Sequence, residues 1–97
     1  MTNALMNIQI IPKVKSPEDL YPAVDAAIAI VQGSGLPYEV GALGTTVEGD
    51  FDALVAIAKE MNEEMIRRGC TSVISQIRFY LGAEPISMTG LTSKFEH

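Results

Sequence analysis

The segment GTTVEGD, residues 44–50, gathers two hydroxyls, two carboxylates and two glycines in seven positions. The hydroxyls of Thr45 and Thr46 both donate and accept hydrogen bonds, and the Glu48 carboxylate accepts from an amino group or meets a cation. The glycines let a flat ring approach the backbone. A few directional polar groups beside apolar walls are what a small-molecule pocket needs. The same residues also read as plain architecture. Gly44 allows a bend, threonines favour strands, and Gly49-Asp50 is a strand-to-helix junction with Asp50 as the cap.

Elsewhere the chain offers no device for covalent chemistry. The single histidine, His97, is terminal, so no Ser-His or Cys-His pair can be assembled around it. Cys70 is the only cysteine, which rules out an internal disulfide and a CxxC metal or redox pair. Asp50 and Asp52 fit a helix cap and a first-turn acid, and Glu63 and Glu64 fit a solvated helix face. There is no GxGxxG and no Walker loop. No catalytic residue and no metal ligand is assigned, and no cofactor is expected. The formal net charge of −5 lacks the basic footprint that nucleic-acid binding requires, and it disfavours docking on an anionic membrane. No apolar run approaches the ~18 residues of a membrane span, and the N-terminus lacks the basic region of a signal peptide. A cytoplasmic protein is the expectation.

These groups need elements to hold them. Residues 4–12, ALMNIQIIP, alternate with period two: Met6, Ile8 and Ile10 share one face and Asn7, Gln9 and Ile11 the other, and Pro12 closes the strand. Ser16-Pro17 opens a helix with Asp19 in its first turn, and Leu20, Tyr21, Val24, Ala27, Ile28 and Val31 form its apolar stripe. The GSG at residues 33–35 stops it. Residues 36–44 read as a second strand, Gly44 and Thr45 as a bend, and residues 46–48 as a third strand in an antiparallel hairpin. A second helix follows Asp50, with a stripe of Phe51, Leu54, Val55, Ala58, Met61 and Met65, and ends at Gly69. Residues 71–81 form the last strand. The remainder, GAEPISMTGLTSKFEH, reads as a tail with a short extra strand around residues 86–88.

The order is βαββαβ. Right-handed crossovers give an α+β, ferredoxin-like sandwich: a four-stranded antiparallel sheet with two helices on one face and the first and third strands inside. Residues 4–82 make the domain and residues 83–97 a C-terminal tail, partly ordered at an interface. The helix-covered side of the sheet takes Met6, Ile8, Ile10, Val47, Val73 and Ile77. The other side carries Asn7, Gln9, Ile11, Leu43, Ile74, Gln76, Arg78 and Tyr80, a mixture that suits a second subunit packed sheet against sheet. The first and third strands carry no aromatics for stacking RNA bases on that face. The loop IPKVKSPED does not resemble the arginine-bearing phosphate cradle of an acylphosphatase, which shares this fold.

The first strand ending IIP, the run SGLPYEVGALGTTVEGDFDAL and the closing RRGCTSVISQIRF together resemble the YkoF-like family of small thiamine- and hydroxymethylpyrimidine-binding proteins. The likeness runs from about Ile8 to Phe79, and GTTVEGD is its most specific part. It implies a ferredoxin-like domain assembled as a homodimer or homotetramer. It also implies binding, without catalysis, of thiamine or its pyrimidine half for uptake or salvage. Carried onto this chain, the resemblance points to Thr45, Thr46 and Glu48 as ligand-binding residues, with Tyr38, Asn7 and Gln9 as neighbours. Three other readings stay open: a regulatory module for another metabolite, a small oligomeric ferredoxin-like enzyme, and a structural adaptor that uses the open sheet face.

Overall fold

In the computed structural model, which describes residues 3–95, four strands form one antiparallel sheet. β1 spans Ala4–Lys13, β2 Tyr38–Val40, β3 Thr45–Gly49 and β4 Ser72–Leu81. The sheet order is β2-β3-β1-β4, so the first and third strands lie inside, as their alternation predicts. Helix α1, Leu20–Gly33, follows a 3₁₀ turn at Pro17–Asp19, and α2 is Phe51–Arg67. Both pack on one face. Met6, Ile8 and Val47 of the sheet join Ala23, Ala27 and Val31 of α1 and Leu54, Ile57, Ala58, Met61 and Met65 of α2 in one buried cluster.

Local chemistry sets the boundaries. α2 ends in a Schellman arrangement: Gly69 N–H donates to the Ile66 carbonyl at 3.0 Å and Cys70 N–H to the Met65 carbonyl at 3.1 Å. Gly69 has φ of 92°, which a side chain would resist, and the buried Cys70 supplies the apolar contact that accompanies such a stop. β1 continues through Pro12, which pairs with Val73 rather than closing the strand. β3 reaches only as far as Ile8 on the other flank, so this half of β1 is an edge where a residue without an N–H is tolerated.

Both helix stripes turn relative to the expectation. In α1 the buried series is Ala23, Ala27 and Val31, and Tyr21 is 78 % exposed. Two alanines at i and i+4 let the helix approach the sheet closely, and the larger Val24 and Ile28 fall to the flank. In α2, Ile57 takes the place expected for the exposed Val55. Its outer face carries ion pairs of Arg67 with Glu60 at 2.7 Å and with Glu64 at 2.9 Å.

The hairpin and the tail differ from the sequence expectation. β2 is three residues long, and residues 41–44 form the loop, closed by Gly41 N–H donating to the Gly44 carbonyl at 2.9 Å. The bend therefore precedes Thr45, which begins β3. Leu43 sits in the loop, 82 % exposed, rather than on the sheet. Where a strand is expected around residues 86–88, Ile86 and Ser87 are irregular and Met88 begins a helix, α3, Met88–Thr92. Extended Ser87 caps it, its hydroxyl oxygen accepting from Gly90 N–H at 2.9 Å, and that cap makes a helical turn the better local solution. His97 lies outside the described residues.

Candidate functional site

The face of the sheet away from α1 and α2 is read directly from the strand register. Ser75 hydrogen-bonds Asn62 of α2 at 3.0 Å, and Phe79 meets Phe51 of α2 edge to face at 5.1 Å. Ser75 and Phe79 therefore point to the helices, and Ile74, Gln76, Arg78 and Tyr80 point away. Asn7 is opposite Arg78 on one side and Thr46 on the other, and Thr46 is opposite Glu39. One row thus crosses all four strands in the order Glu39, Thr46, Asn7, Arg78. A second row holds Glu48, Leu5 and Tyr80.

The first row lines a hollow of about 230 Å³ together with Gly41, Leu43 and Gly44 of the hairpin loop. Asn7 is its fixed point. Its Nδ2 donates to Thr46 Oγ1 at 3.0 Å, and Gly44 lies against the other end of the amide. A Cβ at position 44 would stand 2.7 Å from Asn7 Oδ1, so the close approach requires glycine. The bond to Thr46 uses one amide hydrogen. It leaves the second amide hydrogen and Oδ1 of Asn7 and the hydroxyl hydrogen of Thr46 for a guest. Glu39 supplies a carboxylate at one end of the row and Arg78 a guanidinium at the other. The lining therefore sets neutral donors and acceptors between two opposite charges.

The residues singled out in the sequence divide across the sheet. Thr46 and Asn7 line the hollow. Gln9 is on the same face two residues further along β1, opposite Gln76 and outside the lining. Thr45 and Tyr38 are on the helix side. Thr45 is 5 % exposed and borders a separate hollow of about 170 Å³ between the hairpin and α1, lined also by Ile8, Val24, Ile28 and Val40. Tyr38 pairs with Val47, a core residue.

Glu48 is on the open face but already has a partner: its Oε1 accepts from the backbone N–H of Met88 at 2.8 Å. The chain after β4 therefore crosses this face. Gly82 N–H also donates to the Asn3 carbonyl at 2.9 Å. Leu5, opposite Glu48 and on the face away from the main core, is only 8 % exposed beneath this end of the sheet. The acid that borders the hollow is Glu39 instead. Sequence reasoning missed it because a bend at Gly44 and Thr45 sets Leu43 opposite Thr46; the loop at residues 41–44 sets Glu39 there. Arg78 was legible as an open-face residue, and its place in the hollow follows once β1 and β4 are in register.

Ile74 (62 % exposed), Tyr80 (51 %) and Ile11 (41 %) extend the open face as apolar surface beyond the polar row. Among the described residues no helix is long and apolar enough to cross a membrane, and no group of three or more His, Cys, Asp or Glu side chains gathers to hold a metal ion.

Comparison with known proteins adds an independent line. A sequence profile described as thiamine-binding protein matches residues 6–85. A UPF0045 protein from Clostridium perfringens is 32 % identical over 95 residues, covering 98 % of this chain and 99 % of that protein. Among solved structures, a domain of unknown function (DUF77) from Bacillus cereus superposes with a TM-score of 0.89 at 33 % identity, covering 99 % of this chain and 93 % of the other. A proposed thiamine biosynthesis/salvage protein from Thermotoga maritima superposes with a TM-score of 0.87 at 26 % identity, covering 97 % and 99 %.

Proposed function

This chain belongs to the thiamine-binding protein family, and from that membership we propose that it binds thiamine or its hydroxymethylpyrimidine moiety without acting on it chemically. The role is in thiamine uptake or salvage, in the cytoplasm. The observation that carries the proposal is the Asn7–Thr46 pair held against Gly44 on the floor of an open hollow. Asn7 and Thr46 read the pyrimidine edge, and Glu39 receives its amino group. The lining of oriented amide, hydroxyl and carboxylate groups, without a base-activated nucleophile among them, supports binding over catalysis.

Assembly belongs to the same proposal. The hollow's 230 Å³ is below the roughly 300–1,000 Å³ of sites that enclose a ligand, so one chain supplies a floor and one wall. The exposed Ile74, Tyr80 and Ile11 on the same face suit burial by a second copy in a homodimer or homotetramer, which would roof the guest.

Calorimetric titration with thiamine and with hydroxymethylpyrimidine tests the ligand. Binding is expected with both, and Thr46→Val, which removes the hydroxyl and keeps the shape, should abolish it while leaving the fold intact. No heat and no thermal shift at millimolar ligand would overturn the proposal. Stabilisation by an amino acid or nucleotide, and not by thiamine, would instead favour a regulatory module for another metabolite.

A further inference from the structure

Arg78 is the one cation lining the hollow, and among the described residues it has no ionic partner. The three ion pairs among the described residues lie on the outer face of α2, between Arg67 or Arg68 and Glu60 or Glu64. Asn7 stands next to Arg78 in the row, and its side-chain hydrogen bond goes the other way, to Thr46. Glu39, the acid of the row, is three strands away. At about 4.8 Å per strand the two backbones are separated by about 14 Å, with Thr46 and Asn7 between them. The row is therefore dipolar: negative at β2, neutral in the middle, positive at β4.

Free thiamine answers only part of that polarity. A ligand laid along the row with its aminopyrimidine over Thr46 and Asn7 sends its other half towards Arg78. In thiamine that half is a thiazolium cation, and a guanidinium beside it is a like-charge contact. Hydroxymethylpyrimidine is neutral and gives the guanidinium no counterpart. Both mismatches vanish if the ligand's alcohol is esterified with phosphate. Guanidinium is planar, permanently charged and forked, and phosphate oxygens receive it in parallel hydrogen bonds. The phosphate also neutralises the thiazolium charge within the same molecule.

We propose that the site takes a phosphate monoester of its alcohol-bearing ligand in preference to the free alcohol, with Arg78 as the residue that reads the phosphate. This inference rests on the thiamine-class reading above and adds the phosphorylation state to it. The ester has two sources, thiamine monophosphate and hydroxymethylpyrimidine phosphate. The longer molecule spans the row from Glu39 to Arg78, and the shorter reaches Arg78 only by leaving Glu39. In a chain of net charge −5 an anion gains nothing from the overall field, so any preference for the ester must be local.

The test is titration of the full chain with thiamine, thiamine monophosphate, hydroxymethylpyrimidine and hydroxymethylpyrimidine phosphate, repeated on Arg78→Gln and Arg78→Lys. Thermal midpoints serve as the check that the exposed substitutions leave the fold unchanged. The wild type should bind at least one monoester about tenfold more tightly than its parent alcohol, as a charge-assisted contact in an open hollow allows. Arg78→Gln should erase that ratio, and Arg78→Lys should keep part of it. The ratio should also shrink as salt is raised. Equal binding of ester and alcohol by the wild type, or a preference that survives Arg78→Gln, overturns the assignment and leaves the thiamine-class reading standing. Absence of binding to all four compounds overturns both.

Discussion

Gly44→Ala separates the site from the fold more cleanly than any other single change. The added methyl would stand 2.7 Å from Asn7 Oδ1 and 3.3 Å from Asn7 Cγ and Nδ2. Those atoms are the end of a side chain, so they can move, and the backbone has no cause to. Gly44 is not among the described glycines with positive φ, so alanine is conformationally allowed there. The amide must swing away by several tenths of an ångström, and its 3.0 Å bond to Thr46 Oγ1 is then lost or stretched. A bond of this kind contributes about 0.5–1.5 kcal/mol. Against that, replacing glycine at a compatible position stabilises by about 0.4–1 kcal/mol through the unfolded chain. The two nearly cancel, so urea denaturation should give a stability within about 1 kcal/mol of the wild type. Binding has no such offset. Losing the aim of the Asn7 amide removes one or two oriented hydrogen bonds to the guest, and calorimetry with hydroxymethylpyrimidine should show affinity lower by about tenfold or more. Normal affinity in a stable Gly44→Ala protein would refute the claim that Asn7 reads the ligand. A loss of more than about 2 kcal/mol would show that the loop backbone, and not a side chain, had been displaced.

Two further outcomes follow from contacts at either end of the hairpin. Glu48→Ala removes the acceptor for Met88 N–H, so amide exchange in residues 83–95 should quicken by about five- to tenfold while the strands keep their protection, and Glu48→Gln, which keeps an acceptor oxygen, should change it far less. Asp50 occupies the cap position of α2 with extended φ and ψ, yet its side chain accepts no capping hydrogen bond. Asp50→Ala should therefore cost only the charge–dipole part, about 0.5 kcal/mol, less than the ~1 kcal/mol of a bonded cap, and the cost should fall further in high salt in a denaturation series.

The strands and helices were legible because period is a local signal. Alternation at Met6, Ile8 and Ile10 needs only the pleat, and the heptad-like spacing of Leu54, Ala58, Met61 and Met65 needs only the helical turn. What local signals do not carry is which of two neighbouring apolar residues ends up inside. Tyr21 and Val55 fit their stripes by spacing as well as Ala23 and Ile57 do. The choice is made by the distance between helix and sheet, and Ala23 and Ala27 set that distance for α1. The short strand expected around residues 86–88 fails for a related reason: Ile86 to Met88 has strand-like residues, but extended Ser87 with Gly90 three residues on makes a cap, and one capped turn outweighs three residues of weak β preference.

The site depended on register, and register is where a short hairpin is least determined by its own residues. Glycines stand at both ends of the GALG loop, and either Gly41 or Gly44 can host a turn. Placing the bend at Gly44 and Thr45 turns Thr45 and Leu43 towards the open face; placing it over residues 41–44 turns Thr45 into the core and brings Glu39 opposite Thr46. The deciding contacts are not in the hairpin at all. Val47 has to face Met6 inside the core, which fixes β3 against β1, and Asn7 then meets Thr46 with Gly44 at its back. β2 follows β3, and Glu39 falls into the row as a consequence of core packing on the opposite side of the sheet. A substitution that shifts the core register by one residue would therefore invert every polar group of the hollow at once, and mutations at Val47 or Met6 should damage binding far more than their distance from the guest suggests.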